Sequence, residues 1–254
     1  MRPELQAFER LLQIIARLRR ECPWDRKQTI ESLRYLTIEE TYELSDAIID
    51  NDLEEVKNEL GDLIMHVVFY SQIGSELKSF NIADVLNSVS DKLVRRHPHV
   101  YGDVNVNDAE EVKRNWEQIK LAEGKKSVLE GVPKSLPAMV KANRIQEKAR
   151  GIGFDWDHQD QVWEKLHEEL GELKHEIDHG DQSKVEDEFG DVLFSMINYA
   201  RFIGINPEDA LERTNKKFIK RFQYLENQAE VNGTKLSEMT LEEMEAIWQE
   251  AKRA

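Results

Sequence analysis

Two stretches of the chain carry carboxylates at a spacing that lets them act together. Residues 39–44 read EETYEL and residues 168–173 read EELGEL. Glu39, Glu40 and Glu43 correspond to Glu168, Glu169 and Glu172 at an offset of 129. Sixteen residues beyond the third acid of each set stands Glu59 or Glu188, and three further on Asp62 or Asp191. These last pairs lie in ELGD and EFGD, with a glycine inside a segment of strong helical periodicity. Glycine in a helix interior costs about 1 kcal/mol relative to alanine. Acids three residues apart also share a helix face, where they repel. Four ionised carboxylates brought together need raised pKa values, basic partners or divalent cations. A set with no Cys and no His at ligand spacing suits a hard cation, Mg²⁺ or Mn²⁺. Gly61 and Gly190, lacking a Cβ, would let their helix approach a neighbour or a ligand closely.

The repetition extends beyond the acids. Trp24-Asp25 is echoed by Trp156-Asp157, and Lys92 with Arg96 by Lys217 with Arg221, both pairs at i and i+4. EEVKRNW, ending at Trp116, resembles EEMEAIW, ending at Trp248. The chain therefore reads as an internal duplication, each copy about 120 residues long. Periodicity lapses in GKKSVLEGVPKSLP at 124–137. The expected organisation is an N-terminal repeat over 1–125, a linker over 126–137 and a C-terminal repeat over 138–254.

The elements needed to position the acids are helices, and the expected class is all-α, two tandem homologous helical bundles. In the second copy the spacing predicts helices over 138–150, 160–179, 183–203, 207–230 and 240–252. Gly180 supplies a stop and the Asp181–Ser183 cluster a new N-cap. Leu166, Leu170, Leu173 and Ile177 form one apolar stripe, and Phe189, Val192, Leu193 and Met196 another. Glu169 and Glu172 flank the first, Glu188 and Asp191 the second. A short antiparallel connection would bring all four carboxylates together.

Composition narrows the function. The 254 residues are 40% hydrophobic and 33% charged, with net charge −15, which disfavours binding to a nucleic-acid polymer. An acidic protein still binds an anionic ligand when metal ions stand between them. No apolar run approaches the about 18 residues of a membrane span, and the scattered charges of MRPELQAFERLLQIIARLRR are not those of a signal peptide. The single Cys22 fits a reducing cytoplasm and has little support as a catalytic thiol. Lys217 and Arg221 share a helix face and suit a polyphosphate held opposite a metal–carboxylate cluster. Lys165, one turn before Glu169, reaches either a phosphate or that glutamate. Trp248 suits a base stack or a core cap. His97 and His99, in RRHPHVY, read as a structural loop.

On these residues the chain resembles the MazG family of nucleoside triphosphate pyrophosphohydrolases, an all-α group whose signature is EExxE followed by ExxD. CPWDRKQT, RRHPHVYGD, GFDW and NKKFIKRF are similar to further stretches of two-repeat members. The resemblance implies a cytoplasmic, Mg²⁺-dependent homodimer, with Mn²⁺ as a substitute, that cleaves NTPs and dNTPs, ATP included, between the α and β phosphates. It implies metal ligation by Glu169, Glu172, Glu188 and Asp191, and by Glu40, Glu43, Glu59 and Asp62 in the first repeat. It implies Lys165, Glu168, Lys217, Arg221 and Trp248 as nucleotide contacts, with Glu168 or Glu169 accepting the proton of the attacking water. Leu36 stands where the second repeat has Lys165, which ranks the second site higher. A narrower phosphohydrolase resembling dimeric dUTPases or dCTPases, and a non-catalytic nucleotide-binding regulator, are the alternative readings.

Overall fold

The computed structural model describes residues 2–108, 111–112, 115–116, 118–119, 123, 127–180 and 182–253. The expected N-cap Asp181, parts of EEVKRNW and the first residue of the expected linker lie outside these. The described residues form helices and no strand. The chain divides into two compact units, Met1–Asn107 and Asp108–Ala254. This division comes before the 126–137 stretch, whose Val128 carbonyl accepts a hydrogen bond from Lys148 Nζ of the second unit at 3.1 Å.

In the first unit α1 (Pro3–Glu21) precedes the hairpin of α2 (Ile30–Asp50) and α3 (Leu53–Glu76). Thr29 and Ser32 cap α2 reciprocally through side chain and backbone. Asn51, at φ 57°, turns the chain in the left-handed region, and the Asp52 side chain accepts from the Glu54 and Glu55 amides to start α3. So short a connection forces the two helices antiparallel. α1 packs on α3, and Ile15, Leu33, Val68, Phe69 and Ile73 form the core. α4 (Ile82–Arg96) and a short turn α5 (Pro98–Tyr101) follow, so His97 and His99 flank and occupy a helical turn.

The second unit repeats the plan. α6 (Ala138–Arg150) packs on α8 (Gln182–Phe202), which forms a hairpin with α7 (Gln159–His179). α9 (Pro207–Val231) and α10 (Leu241–Ala251) pair beyond them. Each of these helices lies within one residue of its expected bounds at both ends. Leu166 and Val192 of the two stripes are buried, whereas Leu170, Ile177, Phe189, Leu193 and Met196 are exposed.

Candidate functional site

Each hairpin brings its acids together. In the second unit Glu169 and Glu172 on α7 and Glu188 on α8 place one carboxylate oxygen each within 4.8 Å of the others. In the first unit Glu40 and Glu43 on α2 and Glu59 on α3 do the same. In an octahedral Mg²⁺ site ligand oxygens lie about 3 Å apart when adjacent and about 4.2 Å apart when opposite, so side-chain adjustment within each set would bring its oxygens onto one ion. Asp191 stands beside the second set and Asp62 beside the first, each adding negative potential, to Glu188 and Glu43 respectively.

The electrostatics mark both clusters as sites short of positive charge. Burial first, then Glu172, Asp191, Glu169 and Glu176, pushes the Glu188 carboxyl above its ordinary value. Glu59 is pushed up to about 7 by burial first, with Glu55, Glu43 and Glu40 adding to it. Glu59 Oε2 and Glu188 Oε2 are buried with no hydrogen-bond partner. An orphaned buried carboxylate oxygen is costly, and in a set of hard oxygen donors a divalent cation resolves it. The residues present fit Mg²⁺ or Mn²⁺.

Among the described residues, only the second unit sets a lysine on its cluster. Lys165 Nζ lies 2.9 Å from Glu168 Oε1 and 2.9 Å from Glu169 Oε1. The hydrogen bonds to Glu168 and Glu169 raise the lysine above its ordinary value, so it stays charged. The corresponding Leu36 packs against the core of the first unit.

The expectation that the motif glycines admit a close helix approach is corrected. A Cβ at Gly61 or at Gly190 would meet nothing within 4 Å. The absent side chain leaves open space beside the acids, which keeps the ligand reading of the glycine and removes the helix-packing one.

A cavity of about 730 Å³ opens onto the second cluster. Lys165, Glu169 and Asp191 form its charged end, and Phe154, Trp156, Ile145 and Phe194 contribute to an apolar remainder. Lys217, Arg221 and Trp248 are not on this wall within their own chain. Lys217 is exposed and Arg221 half-buried on α9. Trp248 packs on Phe218 at 5.0 Å between ring centroids.

A family profile described as the MazG nucleotide pyrophosphohydrolase domain matches residues 28–101 and again 158–225, covering both acid hairpins. The chain belongs to the MazG family. It is 41% identical over 258 residues to a nucleoside triphosphate pyrophosphohydrolase of Escherichia coli (strain K12), covering 98% of each chain. It is 43% identical to the nucleoside triphosphate pyrophosphohydrolase/pyrophosphatase MazG of Thermotoga maritima, covering 96% of this chain and 95% of that one. It is 45% identical to the uncharacterized protein YabN of Bacillus subtilis, covering 91% of this chain and 48% of that one.

Sequence reasoning missed the rest of this cavity wall, including its polar residues Gln146, Ser195, Asn198 and Arg201. A signal was present in the duplication. At the offset that superposes the acids, Asn198 meets Phe69, a polar-for-core exchange within otherwise matching helices.

Proposed function

We propose that this protein is a nucleoside triphosphate pyrophosphohydrolase that cleaves NTPs and dNTPs between the α and β phosphates, releasing the monophosphate and pyrophosphate. Glu169 carries the reading. It belongs both to the three-carboxylate set and to the wall of the adjoining cavity, so metal-held phosphates and the rest of a nucleotide fit one continuous site. Glu169, Glu172, Glu188 and Asp191 would hold Mg²⁺, with Mn²⁺ as a substitute. When bound, the ion supplies charge neutralisation for the phosphate tail and makes a coordinated water more acidic.

The chain's own groups do the rest. Glu168, exposed and outside the carboxylate cluster, or Glu169 accepts the proton as water oxygen bonds to phosphorus. Lys165 keeps the two glutamates oriented. The bond to the bridging oxygen breaks, and pyrophosphate leaves with that electron pair. Lys217 and Arg221 stabilise the charge that builds on it. The first-repeat set, Glu40, Glu43, Glu59 and Asp62, binds metal without a counterpart of Lys165, so the second repeat carries the main turnover. Such an enzyme clears aberrant or excess nucleotides in the cytoplasm.

The working form is a homodimer. The uncovered residues include Leu170, Ile177, Phe189, Leu193 and Met196 on the acid hairpin, an apolar face that a second copy would bury. Because Lys217, Arg221 and Trp248 stand off the cavity of their own chain, we assign them to the site of the partner copy.

The test is pyrophosphate release from the eight common nucleotides with and without Mg²⁺. Glu172→Gln and Asp191→Asn should abolish it through lost metal affinity; near-normal Mg²⁺-dependent activity in either removes the proposed site. Hydrolysis confined to one pyrimidine deoxynucleotide would favour the narrower dUTPase- or dCTPase-like activity.

A further inference from the structure

The second-repeat hairpin carries nitrogen donors that the phosphate chemistry does not use. Residues 175–179 read HEIDH, with His175 and His179 at i and i+4 near the end of α7. Two histidines one turn apart on a helix share a face and can grip a single transition ion, the arrangement of the H-E-x-x-H zinc motif. Surface histidines also pair by chance, so the geometry has to decide. α7 runs unbroken through His179, and the two imidazoles lie side by side, ring centroids 5.0 Å apart and planes 25° from parallel. With Zn–N bonds of about 2.0–2.1 Å and a tetrahedral angle at the ion, two imidazoles on one zinc place their ring centres about 5 Å apart. His179 Nδ1 lies 3.2 Å from the His175 carbonyl. A carbonyl only accepts, so in the neutral ring Nδ1 carries the proton and Nε2 is left as the ligand atom.

We propose that His175 and His179 bind one borderline transition cation, with Zn²⁺ as the ordinary case, at the tip of the second-repeat hairpin. The site is separate from the carboxylate set and does not depend on the pyrophosphohydrolase reading. Its place in the fold favours a cation. The pair stands in the last turns of α7, which ends at Gly180, and the carbonyl end of a helix is its negative end. Glu176 adds charge there. A Cβ at Gly180 would collide with Glu176 Oε2, so the glycine makes room for that carboxylate against the last turn. Both rings are exposed, so an ion reaches them from solvent and water completes its coordination. Bound, the ion would tie adjacent turns of α7 together just before the chain reverses into α8.

The motif does not make a peptidase here. Zinc hydrolases with this signature need a third protein ligand and a glutamate serving the metal-bound water. Among the described residues no third His, Cys, Asp or Glu joins the pair. Asp178 is paired with Lys174, and Glu176 lies against the helix end, where it also adds negative potential at Glu188. The first repeat acts as an internal control. At the offset that superposes the acids, Asp46 and Asp50 stand in place of His175 and His179, and they line an acidic cavity with Glu43 and Glu59. Oxygen donors suit hard cations, whereas imidazole suits zinc, copper and nickel. The two hairpins therefore share a carboxylate cluster but differ at the adjoining turn in the class of ion they take, and the transition-metal site belongs to the second repeat.

The experiment uses the full chain without a polyhistidine tag, in excess Mg²⁺ so that the carboxylate clusters are filled. Wild type is compared with His175→Gln, His179→Gln and the double variant. Paramagnetic resonance of one equivalent of Cu²⁺ counts the nitrogens on the ion, and calorimetry with Zn²⁺ gives the affinity. The expected result is two coordinating nitrogens in wild type and loss of that two-nitrogen signal in each variant. Zn²⁺ affinity should fall at least tenfold in each single variant. A wild-type spectrum with oxygen ligands alone overturns the site. So does a double variant that keeps the two-nitrogen signal, which would place the ion on other histidines, or one that keeps the wild-type Zn²⁺ affinity. Melting in EDTA checks folding, and if the double variant does not fold the single variants decide. The nitrogen count separates imidazole from carboxylate ligation, so failure here leaves the Mg²⁺ clusters standing. Failure of nucleotide hydrolysis in turn leaves this site standing.

Discussion

Replacing Glu188 with glutamine should move two measurable quantities in opposite directions. Its carboxyl is raised by burial and by Glu172, Asp191, Glu169 and Glu176, and Oε2 has no partner. The sign follows from linkage. A carboxyl raised in the folded state leaves stability intact below its ordinary value near 4.5 and erodes it as pH rises through the raised one. Glutamine keeps the shape, removes the charge and offers its amide hydrogens to the neighbouring carboxylates. Without metal, Glu188→Gln should therefore melt higher than wild type, by an increment that is small at pH 4.5 and grows towards pH 8. With metal the order reverses, because a ligand is gone. One carboxylate charge about 4 Å from a divalent ion is worth about thirtyfold in affinity even in water-like surroundings, and more where the oxygen is buried. Melting in EDTA and across a Mg²⁺ titration at several pH values measures both effects. A variant that melts lower than wild type in EDTA at pH 8, or that keeps its full Mg²⁺-induced stabilisation, refutes the picture of acids held together against their repulsion for a cation.

Glu59, pushed up to about 7, extends the argument to the first repeat. Glu59→Gln should raise the metal-free melting temperature at pH 8 and leave it unchanged at pH 4.5, and equal shifts at both would reject the charge explanation. Arg221→Ala should lower kcat/KM for triphosphates by about 10²–10³, and an unchanged value assigns Arg221 to the surface. Mixing inactive Arg221→Ala with inactive Asp191→Asn should restore part of the activity by chain exchange; continued inactivity in a proven mixed dimer places Lys217 and Arg221 in their own chain's site. Leu193→Asp should convert the proposed dimer to monomer in sedimentation and abolish turnover, and an intact dimer moves the interface off the acid hairpin.

The acids were legible because helical chemistry is local. EExxE puts its second and third carboxylates on one face, ExxD does the same on the next helix, and a connection as short as Asn51–Asp52 makes the pair antiparallel. The meeting of Glu169, Glu172 and Glu188 follows from spacing alone. The glycine's role was not legible in this way, since a missing Cβ serves equally for tight packing and for open space. Only the surroundings of Gly190 decide between them, and they are open.

Sequence by itself determined the all-α class, the duplication, the helix bounds and the carboxylate sets, all consequences of residue type at short range. Tertiary structure decided which carboxylate oxygens are orphaned, which leucines stay uncovered, and that α6, α7 and α8 enclose a cavity in the second unit while Phe69 fills the core of the first. Burial and hydrogen-bond satisfaction depend on groups brought together from distant parts of the chain. Gln146 and Phe194 are 48 residues apart, and no periodicity relates them.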